Sequence, residues 1–144
     1  MIPDFTEDGL LAIGIHQATR DEFRDRFAIV DGSDRRVRIF EQLDRLPDEA
    51  AKSGIVKRIL VAGSFVTAKP EPNDFDVILV LDASIVQRDL RPFEYNLVSR
   101  KMARRLFRGD VMPALEGSAA LGEYLKFFQS TRDGRQVGMV EIVL

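Results

Sequence analysis

Apolar side chains recur at helical spacing in the first third of the chain. Thr19 followed by Glu22 forms the capping-box pattern that opens a helix, and apolar residues three to four positions apart continue it. A second apolar set with the same spacing ends at Gly54, a residue type common at helix C-termini. We therefore expect helices over residues 19–54, preceded by an irregular arm over residues 1–18, where glycines interrupt any regular period.

The pattern then changes to short, uninterrupted apolar runs, which are typical of buried strands. Such runs predict strands over residues 56–62, 74–82, 109–115 and 137–144. Helical segments separate the later strands, over residues 91–107 and 118–129. A loop that contains Pro70 and Pro72 joins the first two strands and suits a long hairpin, whereas parallel strands need helical crossovers. This order predicts an α+β fold, with a mixed β-sheet and helices packed mainly on one face.

Composition narrows the class of protein. A length of 144 residues, with 45% hydrophobic and 31% charged residues, fits a single globular domain over residues 1–144, in which residues 56–144 carry the sheet. The absence of cysteine excludes disulfides, zinc-thiolate sites and thiol nucleophiles, and one histidine excludes a multi-histidine metal cluster. The acidic first residues and the lack of an apolar run of ~20 residues lead us to expect a cytoplasmic protein without a membrane partner.

Candidate chemistry is concentrated between the first two predicted strands. Asp74 and Asp76 are one residue apart at the start of the most apolar run, so a strand would point both carboxylates to one face. Carboxylate oxygens are ligands that Mg²⁺ prefers, and a Gly63-Ser64 turn offers backbone N–H groups and a hydroxyl to phosphates. These parts indicate a metal-dependent phosphoryl- or nucleotidyl-transfer site. The alternative is an ordinary acidic turn at the start of a strand.

These residues resemble the nucleotidyltransferase superfamily related to DNA polymerase beta, and are most similar to its minimal bacterial members. The shared pattern is a hydrophobic residue and Gly-Ser, about ten residues, and then Asp-x-Asp on a hydrophobic strand, over residues 56–116. The wider sequence is also similar to a group of uncharacterised bacterial proteins. The resemblance implies a nucleotidyltransferase-like sheet and transfer of a nucleoside monophosphate from a nucleoside triphosphate (NTP) to a hydroxyl acceptor on protein, RNA or a small molecule.

Site residues follow from the same resemblance. The implied catalytic and metal-binding residues, for Mg²⁺ or Mn²⁺, are Asp74, Asp76 and Asp110. The implied phosphate-binding residues are Gly63 and Ser64, to which we add Lys69 as a charge-neutralising group. Glu141, in the last predicted strand, is the rival third carboxylate.

A second interpretation stays open at this point. The chain lacks the helical substrate-binding region that larger members append, so a complete acceptor site would need a second subunit, as in a homo-oligomer, or another partner. The same fold also serves as a catalytically weak or inactive binding module, such as the antitoxin-like partner in a toxin–antitoxin system. Residues 100–108 carry several cations. We interpret them as a solvated helix end, and an RNA or nucleotide contact is the alternative. Phe127 and Phe128 are expected in the core.

Overall fold

The computed structural model describes residues 1–30, 32–87 and 89–144. Its strands are β1 (Ile15–Ala18), β2 (Val56–Ala62), β3 (Asp76–Leu81), β4 (Asp110–Leu115) and β5 (Met139–Ile142). Its α-helices are α1 (Arg20–Phe23), α2 (Asp34–Leu43), α3 (Arg45–Ser53), α4 (Tyr95–Val98), α5 (Arg100–Phe107) and α6 (Ala119–Phe128). A π-helical segment, Arg24–Ala28, extends α1, and 3-10 turns cover Ser64–Val66, Ala83–Gln87 and Pro92–Glu94.

Within the described ranges, the strands form one mixed sheet in the order β1-β5-β2-β3-β4. Strand β2 runs antiparallel to its neighbours β3 and β5, whereas β1 is parallel to β5 and β4 is parallel to β3. The expected α+β fold with a mixed sheet is confirmed. The bounds of β2 agree with the predicted strand over residues 56–62, and the connection between β2 and β3 is the predicted long hairpin.

Both faces of the sheet are covered, which explains why residues 59–62 of β2 and 77–81 of β3 are apolar without alternation. The larger core cluster joins Val61, Val77 and Leu79 of the sheet to helix residues such as Phe27 and Phe107. The smaller cluster joins Leu60, Ile78 and Met112 to Leu121 of α6. Burial of one such large side chain contributes roughly 1.5–3 kcal/mol to stability. The helices therefore lie mainly on one face, as expected, and α6 covers the other.

The expectation of an irregular arm over residues 1–18 is wrong at its end. Residues Ile15–Ala18 form β1, which pairs in parallel with β5, and the preceding Leu11 is buried. The amide of Gly138 donates to the carbonyl oxygen of Leu11, so the arm is anchored before the strand begins. The N-terminal segment thus belongs to the sheet.

The single helix predicted over residues 91–107 is divided in two. Helix α4 ends at Ser99, where the backbone is extended (φ −107°, ψ 114°), and α5 starts immediately after it. The Ser99 hydroxyl accepts a hydrogen bond from the Met102 amide, which caps the new helix. Because of this break, α5 is a separate helix, and it contacts β4.

Helix ends elsewhere follow the sequence signals. Thr19 and Glu22 form the complete capping box, and Gly54 ends α3 with a left-handed backbone (φ 69°).

In the part of the chain that the structure describes, no helix combines the length and the apolar character needed to cross a membrane.

Candidate functional site

Three chain segments meet at one edge of the sheet. The register pairs Ala62, the last residue of β2, with Asp76, the first residue of β3, and Asp76 with Asp110, the first residue of β4. Because β2 is antiparallel to β3 while β4 is parallel to it, the end of β2 and the beginnings of β3 and β4 lie side by side. The fold therefore brings the Gly63 turn and two of the predicted carboxylates to the same place.

Gly63 allows a carboxylate to lie against the turn. Its backbone has φ 77° and ψ −166°, a conformation that is essentially restricted to glycine. A β-carbon at this position would come within 2.1 Å of the Oδ2 atom of Asp76. The turn that follows, Ser64–Val66, is a short 3-10 helix. Asp76 thus contacts a backbone position that only glycine provides.

These residues line an open cleft of about 1320 Å³. The predicted site residues in its lining are Gly63, Ser64, Lys69, Asp74, Asp76 and Asp110. Other lining residues come from the C-terminal half of α6 and the segment after it, among them Lys126, Phe127 and Arg132. Every residue that the sequence assigns to catalysis, metal binding or phosphate binding therefore faces one cavity.

Two arginines of α5 pair with the outer carboxylates. Arg100 donates from Nε and Nη2 to the two carboxylate oxygens of Asp110, at 3.1 and 3.0 Å. Arg104, one helical turn later, lies with Nη1 3.4 Å from Oδ2 of Asp74. The interpretation of these cations as a solvated helix end is therefore incomplete, because Arg100 and Arg104 contact carboxylates of the cleft.

Asp76 is the most perturbed acid of the site. Burial, with repulsion from Asp74 and Asp110, raises its pKa to about 6, against a smaller opposing effect of Arg104 and Arg100. Among the described residues, Asp76 has no ion-pair partner. It is the carboxylate whose charge is least compensated by the protein itself.

The sequence profile of DUF6932, a family of unknown function, matches residues 3–143 of the chain. The chain belongs to this family. No curated protein and no solved structure matches it. What this DUF6932 member does must therefore be inferred from the site.

A divalent cation is chemically compatible with the donors at this edge. Asp74, Asp76 and Asp110 offer only oxygen ligands and line one cleft, which suits a hard ion such as Mg²⁺. In the described ranges, no three acidic, histidine or cysteine side chains are already gathered around a common ion position. The ion pairs with Arg100 and Arg104 hold two of the carboxylates instead.

Glu141, the rival third carboxylate, is not part of the cleft lining. It accepts hydrogen bonds from Nε and Nη2 of Arg58 at 3.0 and 2.7 Å, and only 14% of its side chain is exposed. The register places it opposite Leu60, farther along the sheet than the pair Ala62 and Asp76. Its ion pair with Arg58 balances a largely buried charge.

A buried arginine, which the sequence reading did not single out, holds the loop after Ser64. Arg36 of α2 is 2% exposed, and its guanidinium donates to the carbonyl oxygens of Phe65, Thr67 and Lys69. A further hydrogen bond, 2.9 Å long, reaches the carbonyl oxygen of Phe27. Arg36 thereby ties the loop after Ser64 to the helical layer. In the sequence, Arg36 lies four and seven positions before Phe40 and Leu43, on the apolar face of α2, and this spacing is the signal that could have identified it.

The expectation that Phe127 lies in the core is also wrong. Its side chain is 71% exposed and lines the cleft, whereas Phe128 packs against the smaller core cluster. The inward-facing residues of α6, spaced at three and four positions, are Leu121, Tyr124, Leu125 and Phe128. This spacing leaves Phe127 off the buried face.

Proposed function

We propose that this DUF6932 member is a metal-dependent nucleotidyltransferase, which transfers a nucleoside monophosphate from an NTP to a hydroxyl group. The observation that carries the proposal is the juxtaposition of Asp76 and Asp110 in register at the sheet edge where Gly63 and Ser64 follow β2. This arrangement supports the resemblance to minimal nucleotidyltransferases. The reaction would take place in the cytoplasm, with the acceptor on protein, RNA or a small molecule.

Each residue has a distinct role in this proposal. The carboxylates of Asp74 and Asp76 would hold Mg²⁺ or Mn²⁺ together with the triphosphate, and Asp110 would hold a second ion. A bound divalent cation neutralises phosphate charge and lowers the pKa of an attacking hydroxyl. Backbone N–H groups at Gly63 and Ser64 would bind the β- and γ-phosphates, and Lys69 would add a positive charge to the same loop.

The bonds of the proposed reaction balance without a further reactant. The acceptor oxygen forms a bond to the α-phosphorus, and the bond from that phosphorus to the bridging oxygen of the β-phosphate breaks. Pyrophosphate leaves with the bonding electrons, and the hydroxyl proton passes to a carboxylate, for which Asp110 is the candidate. Positioning and charge stabilisation supply most of the catalysis in such transfers.

Thermal denaturation with ligands tests the binding half of the proposal. We expect Mn²⁺ or Mg²⁺ with an NTP to raise the melting temperature, because a ligand that binds only the folded state stabilises it. Asp76→Asn should remove this ligand-dependent rise. Glu141→Gln, which lies outside the cleft, is the matched control and should retain it. No rise for the unmodified protein with any of the four NTPs would contradict the proposal.

Label transfer tests the chemistry. The protein is incubated with α-labelled ATP, GTP, CTP or UTP, candidate acceptors and Mg²⁺, and covalently bound label is counted. Transfer that disappears in both Asp76→Asn and Asp110→Asn supports the enzyme. If Glu141→Gln abolished label transfer and Asp110→Asn retained it, the third carboxylate would be Glu141 of β5 instead of Asp110.

The ion pairs of Arg100 with Asp110 and of Arg104 with Asp74 favour one second candidate, a binding module. With these carboxylates neutralised by arginine, the same surface can serve an antitoxin-like role toward a protein partner, without a metal. Tight binding of such a partner that persists in Asp74→Ala, without label transfer, would support the module over the enzyme.

A further inference from the structure

The exposed ring of Phe127 is an unusual feature of the cleft. An aromatic side chain that is 71% exposed leaves apolar area in water, although a neighbouring position on the same helix, Phe128, is packed against the core. The ring of Phe128 meets that of Phe127 edge to face, with centroids 4.9 Å apart and an interplanar angle of 87°. This contact fixes Phe127 from one side and leaves ring surface open to the cleft.

Two cations share the cleft with the Phe127 ring. Lys126 and Arg132 line the same cleft, and neither forms an ion pair within the residues that the structure describes. Their charge contrasts with the carboxylates of Asp74, Asp76 and Asp110 elsewhere in the lining. The cleft therefore combines acidic groups, a glycine-serine turn, an open aromatic face and uncompensated cations.

A nucleotide carries the groups that match this combination. Its phosphates suit the turn and the cation-binding carboxylates, and its base is a flat aromatic that stacks on a phenyl ring. The open cleft, about 1320 Å³, is large enough for a nucleotide, since pockets of ~300–1,000 Å³ hold small ligands.

We propose that the base of the bound nucleotide stacks on Phe127, with Lys126 and Arg132 beside the anionic part of the ligand. This inference rests on the proposed function and names the part of the site that holds the nucleoside. A phenyl ring has no hydrogen-bonding atoms to select a base. The site should thus accept several bases and prefer purines, whose stacking area is larger.

A tryptophan reporter tests the contact directly. The chain contains no tryptophan, so Phe127→Trp creates a single fluorophore at the proposed stacking position. We expect Mg²⁺-ATP to quench or shift its emission and Mg²⁺-tripolyphosphate, which has no base, to leave it unchanged. Phe93→Trp is the matched control, because Phe93 lies outside the cleft lining beside Lys52 and Arg91, and its emission should not respond.

An affinity measurement provides the second readout. Phe127→Ala removes an exposed side chain, so the fold should be retained, and the affinity for Mg²⁺-ATP should fall about tenfold. The affinity for Mg²⁺-tripolyphosphate should change less than twofold, because this ligand has no base to contact the ring of Phe127. Both ligands are titrated by calorimetry against the unmodified protein and the variant.

The outcomes separate the inference from the proposed function. Normal binding of ATP by Phe127→Ala, or equal responses of the Phe127→Trp emission to ATP and tripolyphosphate, would overturn base stacking while the nucleotidyltransferase proposal stands. Failure of the unmodified protein to bind either ligand would overturn both. Loss of ATP affinity with retained tripolyphosphate affinity, together with a base-dependent emission change, supports the inference.

Discussion

The backbone of Gly63 lies directly against the carboxylate of Asp76, where a β-carbon would come within 2.1 Å of Oδ2. We therefore expect Gly63→Ala to destabilise the protein by at least about 1–3 kcal/mol, the cost of a strained backbone conformation, and to displace Asp76 as well. The free energy of unfolding is measured by urea denaturation, and ligand binding by the rise in melting temperature with Mn²⁺ and an NTP. That rise should be lost.

Gly117 provides the matched control for this substitution. It also has a positive φ, 74°, but a β-carbon there would meet no atom within 4 Å. Gly117→Ala should thus lower stability through backbone strain alone and leave the ligand-dependent rise intact. Equal effects of the two substitutions on ligand binding would show that contact with Asp76 is not what Gly63 provides.

The raised pKa of Asp76 predicts that stability changes with pH in a definite direction. Its folded pKa is about 6 against an ordinary value of 3.8, so between these values the folded state holds more protons than the unfolded state. Stability should fall as pH rises from about 4 to about 6, and this loss should be complete above that range. Asp76→Asn removes the titrating group, and it should be more stable than the unmodified protein at pH 7.5 but not at pH 4.

Urea denaturation at pH 4, 5, 6 and 7.5, with a chelator present, measures this effect. The other acids with shifted pKa values do not titrate between pH 4 and pH 6, because hydrogen bonds lower the pKa values of Asp48, Asp82 and Asp133. Their contributions to stability are lost only as pH falls below about 4. A constant difference between Asp76→Asn and the unmodified protein across all four pH values would contradict the raised pKa.

The Arg100–Asp110 pair predicts competition with a metal ion. Since a cation that binds Asp110 must displace the Arg100 guanidinium, Arg100→Gln should raise the affinity for Mn²⁺ about two- to fivefold, the range expected for an exposed ion pair. Free Mn²⁺ is measured by electron paramagnetic resonance during a titration of the protein. Unchanged or weaker Mn²⁺ binding by Arg100→Gln would argue against Asp110 as a ligand.

Arg105→Gln is the control for net charge. Arg105 lies on the same helix, is exposed, and forms no ion pair with any residue in the described ranges. The same loss of one positive charge should alter Mn²⁺ affinity less there than at Arg100. Equal effects would mean that overall charge, rather than the pair with Asp110, controls binding.

Local signals predicted which residues meet at this sheet edge better than they predicted the whole sheet. The β-branched run of β2, the glycine directly after it and the acid that opens β4 are all local features, and the structure brings them to one edge. Strand β1 has only four residues, and its partner β5 lies near the other end of the chain. A short segment paired over such a sequence distance leaves no periodic signal of its own.

The arginines of α5 show a different limit of sequence reasoning. Cations in the last turn of a helix are favourable for the helix dipole, so Arg104 fits a purely structural role as well as a functional one. The break at Ser99 and the packing of α5 next to β4 bring Arg100 to Asp110. Only the tertiary arrangement distinguishes the two roles.

Arg36 holds the loop after Ser64, so its replacement should lower the stability of the protein. Its buried guanidinium donates to the carbonyl oxygens of Phe27, Phe65, Thr67 and Lys69, so Arg36→Leu would leave these acceptors unpaired. We expect a loss of about 3–5 kcal/mol in the free energy of unfolding, because a buried polar group without its partner is costly. Urea denaturation measures the loss.

Arg38→Leu tests whether this loss is specific, because Arg38 is an exposed arginine on the same helix. Its effect should stay within about 0.5 kcal/mol. Amide hydrogen exchange locates the effect of Arg36→Leu, with protection falling first at Thr67, whose amide donates to Ser64. If Arg36→Leu unfolded at the same urea concentration as Arg38→Leu and exchange at Thr67 did not change, the loop would be held by its own turns rather than by α2.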